Sequence, residues 1–160
     1  MPEPTPPNSS ATGQPLARYA ALRRAGDYLF CSGVIAVRPQ DGAVLSRYTD
    51  LPEHARSALR GLGYDTGQFS VDVFESPIVV QSWLVLDRIR ALVEEEGAQM
   101  AQVARLVQYF RDLRHYPAYN RVRDLFFPEP VVSTVVEVSG MLPSPEVLVE
   151  VEATVWAPRA

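Results

Sequence analysis

A single cysteine, Cys31, stands in the 160 residues. That excludes an internal disulfide and any cluster of thiolate metal ligands, and it points to a reducing compartment. No run of about 18 apolar residues is present, so no membrane-spanning helix is expected. The first residues lack the basic and apolar segments of a secretory signal, so the sequence predicts residence in the cytoplasm. Basic residues are also short, 15 against 19 acidic, giving a net charge of −4. Nucleic-acid affinity rests on clustered Lys and Arg neutralising phosphates, so a nucleic-acid partner is not expected. The histidines number only two, His54 and His115, and neither has a companion at metal-ligand spacing. No GxSxG elbow, P-loop or dinucleotide fingerprint occurs, so no cofactor and no metal are expected.

What is present suits one globular domain: 47% of residues are hydrophobic and 21% charged, enough to fill a core without staples. Residues 1–14, rich in Pro, Ser and Thr, have little to bury and are expected to form a flexible tail ahead of a domain over 15–160. From Arg18 the chain reads as a β-hairpin turning at Gly26-Asp27. Glycines and prolines then break up residues 39–76, an insertion with a short helix around His54 to Leu59. Val79, Trp83, Leu86 and Val93 recur at helical spacing, which predicts a long helix over Pro77 to Glu96, capped by Ser76 and stopped by Gly97. A strand over Val103 to Phe110 follows. A second helix should span Pro117 to Phe127, with Tyr119, Val122, Leu125 and Phe126 inward. Two further strands are expected over Val131 to Val138 and Val147 to Trp156. The fold class is therefore α+β, a sheet with two helices packed on one face.

Charged groups need to be weighed one by one. Glu94, Glu95 and Glu96 are consecutive on a helix, diverge in direction and read as solvated surface. Arg121, Arg123 and Asp124 fit the wet side of the second helix. The last strand is different: VLVEVEATV puts Glu150 and Glu152 on one face. Either that face is simply exposed, or one glutamate points into a cleft as a general acid or base.

Taken in order, several segments resemble one family: the Tyr19 region, LFCSGVIAV, a long helix ending in EEEGA, VARLVQYFRDLRHYPAYNRVRDLFF, and VVEVSGMLP followed by VLVEVEATV as a closing hairpin. The chain resembles the RidA/YjgF family of enamine and imine deaminases, also called the L-PSP endoribonuclease group. The resemblance implies a chorismate-mutase-like fold, a homotrimer, and pockets at the subunit interfaces that take a small-molecule ligand or substrate. By position it implies that Glu152 is the catalytic, water-positioning glutamate. Tyr19, Ser32, Gly33 and Asn120 match pocket residues. The family arginine that anchors a substrate carboxylate aligns with Ser133, followed by Thr134. Exchanging a bidentate guanidinium for a hydroxyl removes roughly 1.5–3 kcal/mol of charge-assisted bonding, which points away from ordinary 2-imino acids. Arg47, Arg56 and Arg60 in the insertion are candidate replacements. Three functions follow: a deaminase-like hydrolase of a non-standard imine or enamine, in the manner of the aminomuconate-deaminase branch; a trimer that binds a small molecule without turnover; and RNA cleavage, which the acidic balance disfavours.

Overall fold

A computed structural model of the chain describes residues 19–64 and 70–159, with the backbone alone for 70–74. The expected tail over 1–14 lies outside the described residues. The hairpin forms as its turn chemistry dictates. β1 (Leu22–Ala25) pairs with β2 (Tyr28–Val34) across Gly26-Asp27, and Gly26 has φ +58°, a conformation open to glycine at little cost. α1 (Glu53–Gly61) lies within the segment read as an insertion, and α2 spans Ser70–Glu95. After these come β3 (Val103–Phe110), α3 (Tyr116–Phe126), β4 (Val132–Glu137) and β5 (Val149–Trp156).

The five strands run in the order β1-β2-β5-β3-β4. Every neighbouring pair is antiparallel except β3 with β4, which are parallel. A parallel pair needs a crossover, and α3 is that crossover. This corrects the expected closing hairpin, because β4 and β5 follow each other in sequence yet β3 lies between them. The chain between them passes the end of β3, where Val138 N donates to Phe110 O and Arg111 N donates to Leu148 O.

The helices cover one face of the sheet. Leu29 and Cys31 of β2, Leu106 and Phe110 of β3, and Val149, Val151, Ala153 and Val155 of β5 are buried there. They belong to one core with Ile78, Val79, Leu86, Ile89 and Val93 of α2. Burial raises the Cys31 thiol pKa to about 11. The middle of α2 is buried nearly all round because α1 and α3 flank it: Trp83 meets His54 at 6.1 Å and Phe126 at 5.0 Å between ring centroids.

Three local expectations change. α2 starts at Ser70, so Ser76 is no cap and Pro77 lies inside the helix. Tertiary bonds hold the extra turns despite the proline: Glu75 accepts from Tyr64 Oη at 2.8 Å and from Arg121 at 2.6 Å, linking the turn after α1, α2 and α3. Leu125 is exposed rather than inward, because Phe126 is the residue turned onto Trp83. Arg123 is not on a wet face; its side chain is only 18% exposed.

Candidate active site

The alternation along β5 creates the site. Val149, Val151, Ala153 and Val155 point into the core, so Glu150, Glu152 and Thr154 must face the other side of the sheet. β3 lies alongside in antiparallel register, Tyr109 opposite Glu150 and Val107 opposite Glu152. The Tyr109 hydroxyl donates diagonally to Glu152 Oε1 at 3.2 Å. On the other flank, β2 breaks register with β5 between Cys31 and Val34. There Gly33 leaves the room that Glu150 occupies: a Cβ on Gly33 would lie 1.8 Å from Glu150 Oε1. A side chain at position 33 would require the Glu150 carboxylate to move from this place. Ser32 fixes the incoming chain, its N donating to Ala21 O at 3.0 Å and its Oγ to Ala20 O at 2.7 Å, which brings Tyr19 to the same place.

These residues line an open cleft of about 710 Å³ whose rim is the loop Val138, Gly140, Met141, Leu142 and Pro143. The loop is held at both ends. The Arg111 guanidinium donates to Ser139 O. At the far end the fully buried Gln81 of α2 donates to Glu146 O at 2.8 Å and accepts from Leu148 N at 2.9 Å. A smaller pocket of about 70 Å³, the side lobe, shares Tyr19, Ser32, Gly33 and Ile35 with the cleft and is lined also by Ala21, Val34, Val37, Pro39, Arg88 and Leu92.

Proton affinity in the cleft is raised. Burial, and then the charge of Glu152, push the Glu150 carboxyl above its ordinary value. The Tyr109 hydroxyl is raised by burial and then by Glu152. Beyond Glu152 a second depression of about 410 Å³ contains Arg23 and Arg105; Arg105 donates to Thr134 Oγ1 at 3.2 Å.

Of the residues singled out from sequence, Tyr19, Ser32, Gly33 and Glu152 meet in the cleft. Asn120, Ser133 and Thr134 do not line it. Ser133 accepts from Gln108, a buried residue on the helix-covered side. Asn120 lies on α3, its Oδ1 buried and without a partner. Arg47, Arg56 and Arg60 are absent from the cleft wall, and Arg56 pairs with Glu53 at 2.9 Å. Of the described part of the insertion, only Pro39 reaches the side lobe. His54 packs on Trp83, while burial lowers the pKa of His115 beside α3. Glu94, Glu95 and Glu96 are exposed. Among the described residues no three His, Cys, Asp or Glu side chains converge to hold a metal ion, and no helix is long and apolar enough to cross a membrane. Sequence reasoning missed Tyr109, whose place beside Glu150 depends on strand register. Glu152, the glutamate that the resemblance singles out, lines the cleft together with Glu150.

Comparison with known proteins bears on the family and the fold. The family model described as Endoribonuclease L-PSP matches residues 54–157. A Klebsiella pneumoniae structure carrying an endoribonuclease label is 53% identical, covers 88% of this chain and 100% of its own, and has a TM-score of 0.80. The Escherichia coli protein TdcF, solved with bound serine, shares the fold at 19% identity, with a TM-score of 0.66 over 94% of this chain and 97% of its own. A RutC family protein of Pyrococcus abyssi is 23% identical over 143 residues, 89% of each chain. The α+β sheet with its helices on one face and the family model together place the chain in the endoribonuclease L-PSP family, the RidA/YjgF group.

Proposed function

We propose that the cleft hydrolyses the C=N bond of a small imine, or of an enamine through its imine tautomer, and that the protein works as a homotrimer in the cytoplasm. The observation that carries this reading is Glu150, a half-buried carboxylate of raised pKa facing a cleft large enough for a small molecule. Such a group serves both halves of the reaction. As the ionised base it takes a proton from water while the water oxygen bonds to the imine carbon and the C=N π pair moves onto nitrogen. With the imine nitrogen protonated at the outset, the carboxyl then passes that proton to the carbinolamine nitrogen, and as the C–N bond breaks and ammonia leaves, the hydroxyl proton goes to the Glu150 carboxylate, leaving a carbonyl. The chain contains no lysine, so no side-chain amine is available for a Schiff-base route. Glu150 rather than Glu152 is the stronger candidate, being the one pressed against Gly33 at the wall shared with the side lobe. Glu152 orients Tyr109 and holds the proton affinity of Glu150 up.

The trimer reading is supported by the open sheet face. Tyr28, Phe30, Val132 and Trp156 are 45%, 48%, 66% and 50% exposed there in the single chain, an apolar surface suited to a neighbouring subunit. A subunit docked on it would bring a further wall to the cleft. The second reading, a small-molecule-binding trimer without turnover, is favoured by Ser133 in place of the family arginine. Generating imines in situ and following ammonia release separates the two. Glu150→Gln should abolish turnover, since an amide hydrogen-bonds but takes no proton. Turnover unchanged in both Glu150→Gln and Glu152→Gln would remove the hydrolytic reading.

A further inference from the structure

Tyr109 lines the cleft but takes no part in the hydrolytic steps above. It stands on β3 directly opposite Glu150 of β5, yet its hydroxyl reaches past that neighbour to Glu152 Oε1, to which it donates at 3.2 Å. The direction of the bond follows from the partners, because an ionised carboxylate accepts and cannot donate. The phenol keeps its proton: burial, then the charge and hydrogen bond of Glu152 and the charge of Glu150, raise its pKa, and Arg105 only moderates that rise. With its one proton committed to Glu152, Tyr109 offers the cleft the lone pairs of its oxygen and nothing else. It is a fixed acceptor rather than a hydroxyl free to turn.

Glu150 borders the same cleft from the other flank. Its carboxylate lies against Gly33 of β2, whereas Tyr109 rises from β3, and β5 runs between those two strands. Two acceptors therefore flank the space in which the imine carbon is attacked. A water held by the Glu150 carboxylate alone keeps its second O–H free to swing, and its lone pair samples many directions. A water that gives one hydrogen to Glu150 and the other to Tyr109 has both O–H bonds fixed, which leaves a lone pair to point at the carbon. We propose that Tyr109 is a catalytic residue that shares the attacking water with Glu150, and that Glu152 is a positioning residue that acts through Tyr109 by holding the phenol proton away from the cleft. This role rests on the hydrolytic reading. No proton passes through the phenol: Glu150 takes one hydrogen of the water as the C–O bond forms, and the hydrogen facing Tyr109 stays on oxygen as the carbinolamine hydroxyl.

Tyr109→Phe removes the acceptor and keeps the ring, and melting temperature reports whether the fold is unharmed. With imines generated in situ by amine and amino-acid oxidases, Tyr109→Phe should lower kcat roughly 10- to 100-fold and leave KM within about twofold. Glu152→Gln places an N–H₂ donor beside the phenol oxygen and frees the phenol to turn its proton into the cleft, so kcat should fall roughly tenfold. The rates are compared on the plateau of each turnover–pH profile, so that a shifted acid limb does not enter. In the Tyr109→Phe background the same Glu152→Gln substitution should change kcat by less than about threefold, because no phenol is left to hold. A kcat for Tyr109→Phe equal to that of the wild type would overturn the proposal and leave the hydrolase standing. So would a raised KM with kcat unchanged, which would make Tyr109 a contact to substrate and not to water. Losses that multiply in the double variant would remove Glu152 as the residue acting through Tyr109. A wild type that hydrolyses neither kind of imine would sink the hydrolytic reading and the shared water with it.

Discussion

The two faces of the sheet are built from the same strands and obey opposite rules. On the helix-covered face β5 contributes only Val149, Val151, Ala153 and Val155, all buried. On the open face, one residue along in each case, it contributes Glu150, Glu152, Thr154 and Trp156. The covered face must exclude water; there the Gln108 amide nitrogen donates to Ser133 Oγ and Thr134 O, while its buried Oε1 has no partner. The open face keeps water, charge and unpaired apolar area within a few ångströms of each other. Buried apolar area is concentrated on one face and the cleft carboxylates on the other, so substitutions on the two should separate cleanly.

The largest effect should come from breaking the covered face. Phe110 is fully buried, edge-on to Tyr119 at 5.2 Å and Tyr116 at 5.8 Å. Phe110→Ala should cost about 3–5 kcal/mol in urea denaturation, while Thr154→Ala on the open face of β5 should stay within about 0.5 kcal/mol. Next comes assembly. Phe30→Ser combined with Trp156→Ser should convert a trimer to folded monomers, seen as a threefold drop in mass by light scattering with the circular dichroism unchanged. A wild type that is already monomeric would remove the trimer.

Smaller effects sharpen the electrostatics of the open face. Glu152 raises the pKa of Glu150 through its charge, so Glu152→Gln should move the acid limb of the turnover–pH profile to lower pH. A limb that stays in place would mean burial alone sets it. The smallest effect concerns stability. A carboxyl whose folded pKa lies above its unfolded value contributes fully at low pH, and that contribution is lost as pH rises through the folded pKa. Glu150 is therefore unfavourable to the fold once ionised. Glu150→Gln should raise the melting temperature at pH 7 by on the order of 1–2 °C, with no rise at pH 3. A melting temperature that falls at pH 7 would show the ionised carboxylate to be stabilising.

Much of the fold was legible because apolar period and chain breakers agreed. The β3 span over Val103 to Phe110, the Gly26-Asp27 turn and the end of α2 before Gly97 all follow from local chemistry. What escaped was settled by tertiary contact. The first turns of α2 owe their persistence to Glu75 bridging Tyr64 and Arg121, and no propensity rule sees that bridge. The insertion of β3 between β4 and β5 is a consequence of the α3 crossover, invisible to a reading that pairs consecutive strands. For the site, alternation on β5 supplied the two carboxylates, and the family resemblance supplied Tyr19, Ser32 and Gly33. Neither tells apart the surroundings of the two carboxylates, since which one meets β2 depends on the register break.

The gap at Gly33 has a consequence for how such a chain can change over time. The carboxylate of Glu150 occupies the volume that any side chain at position 33 would claim, so the two sites, 117 positions apart in sequence, are sterically coupled. A methyl group gained at 33 displaces the glutamate, and a shorter residue at 150 removes the reason for glycine at 33. Among related sequences these two columns should be inherited or lost together. A relative with alanine at the position of Gly33 should hold the matching carboxylate in another rotamer, turned away from this wall.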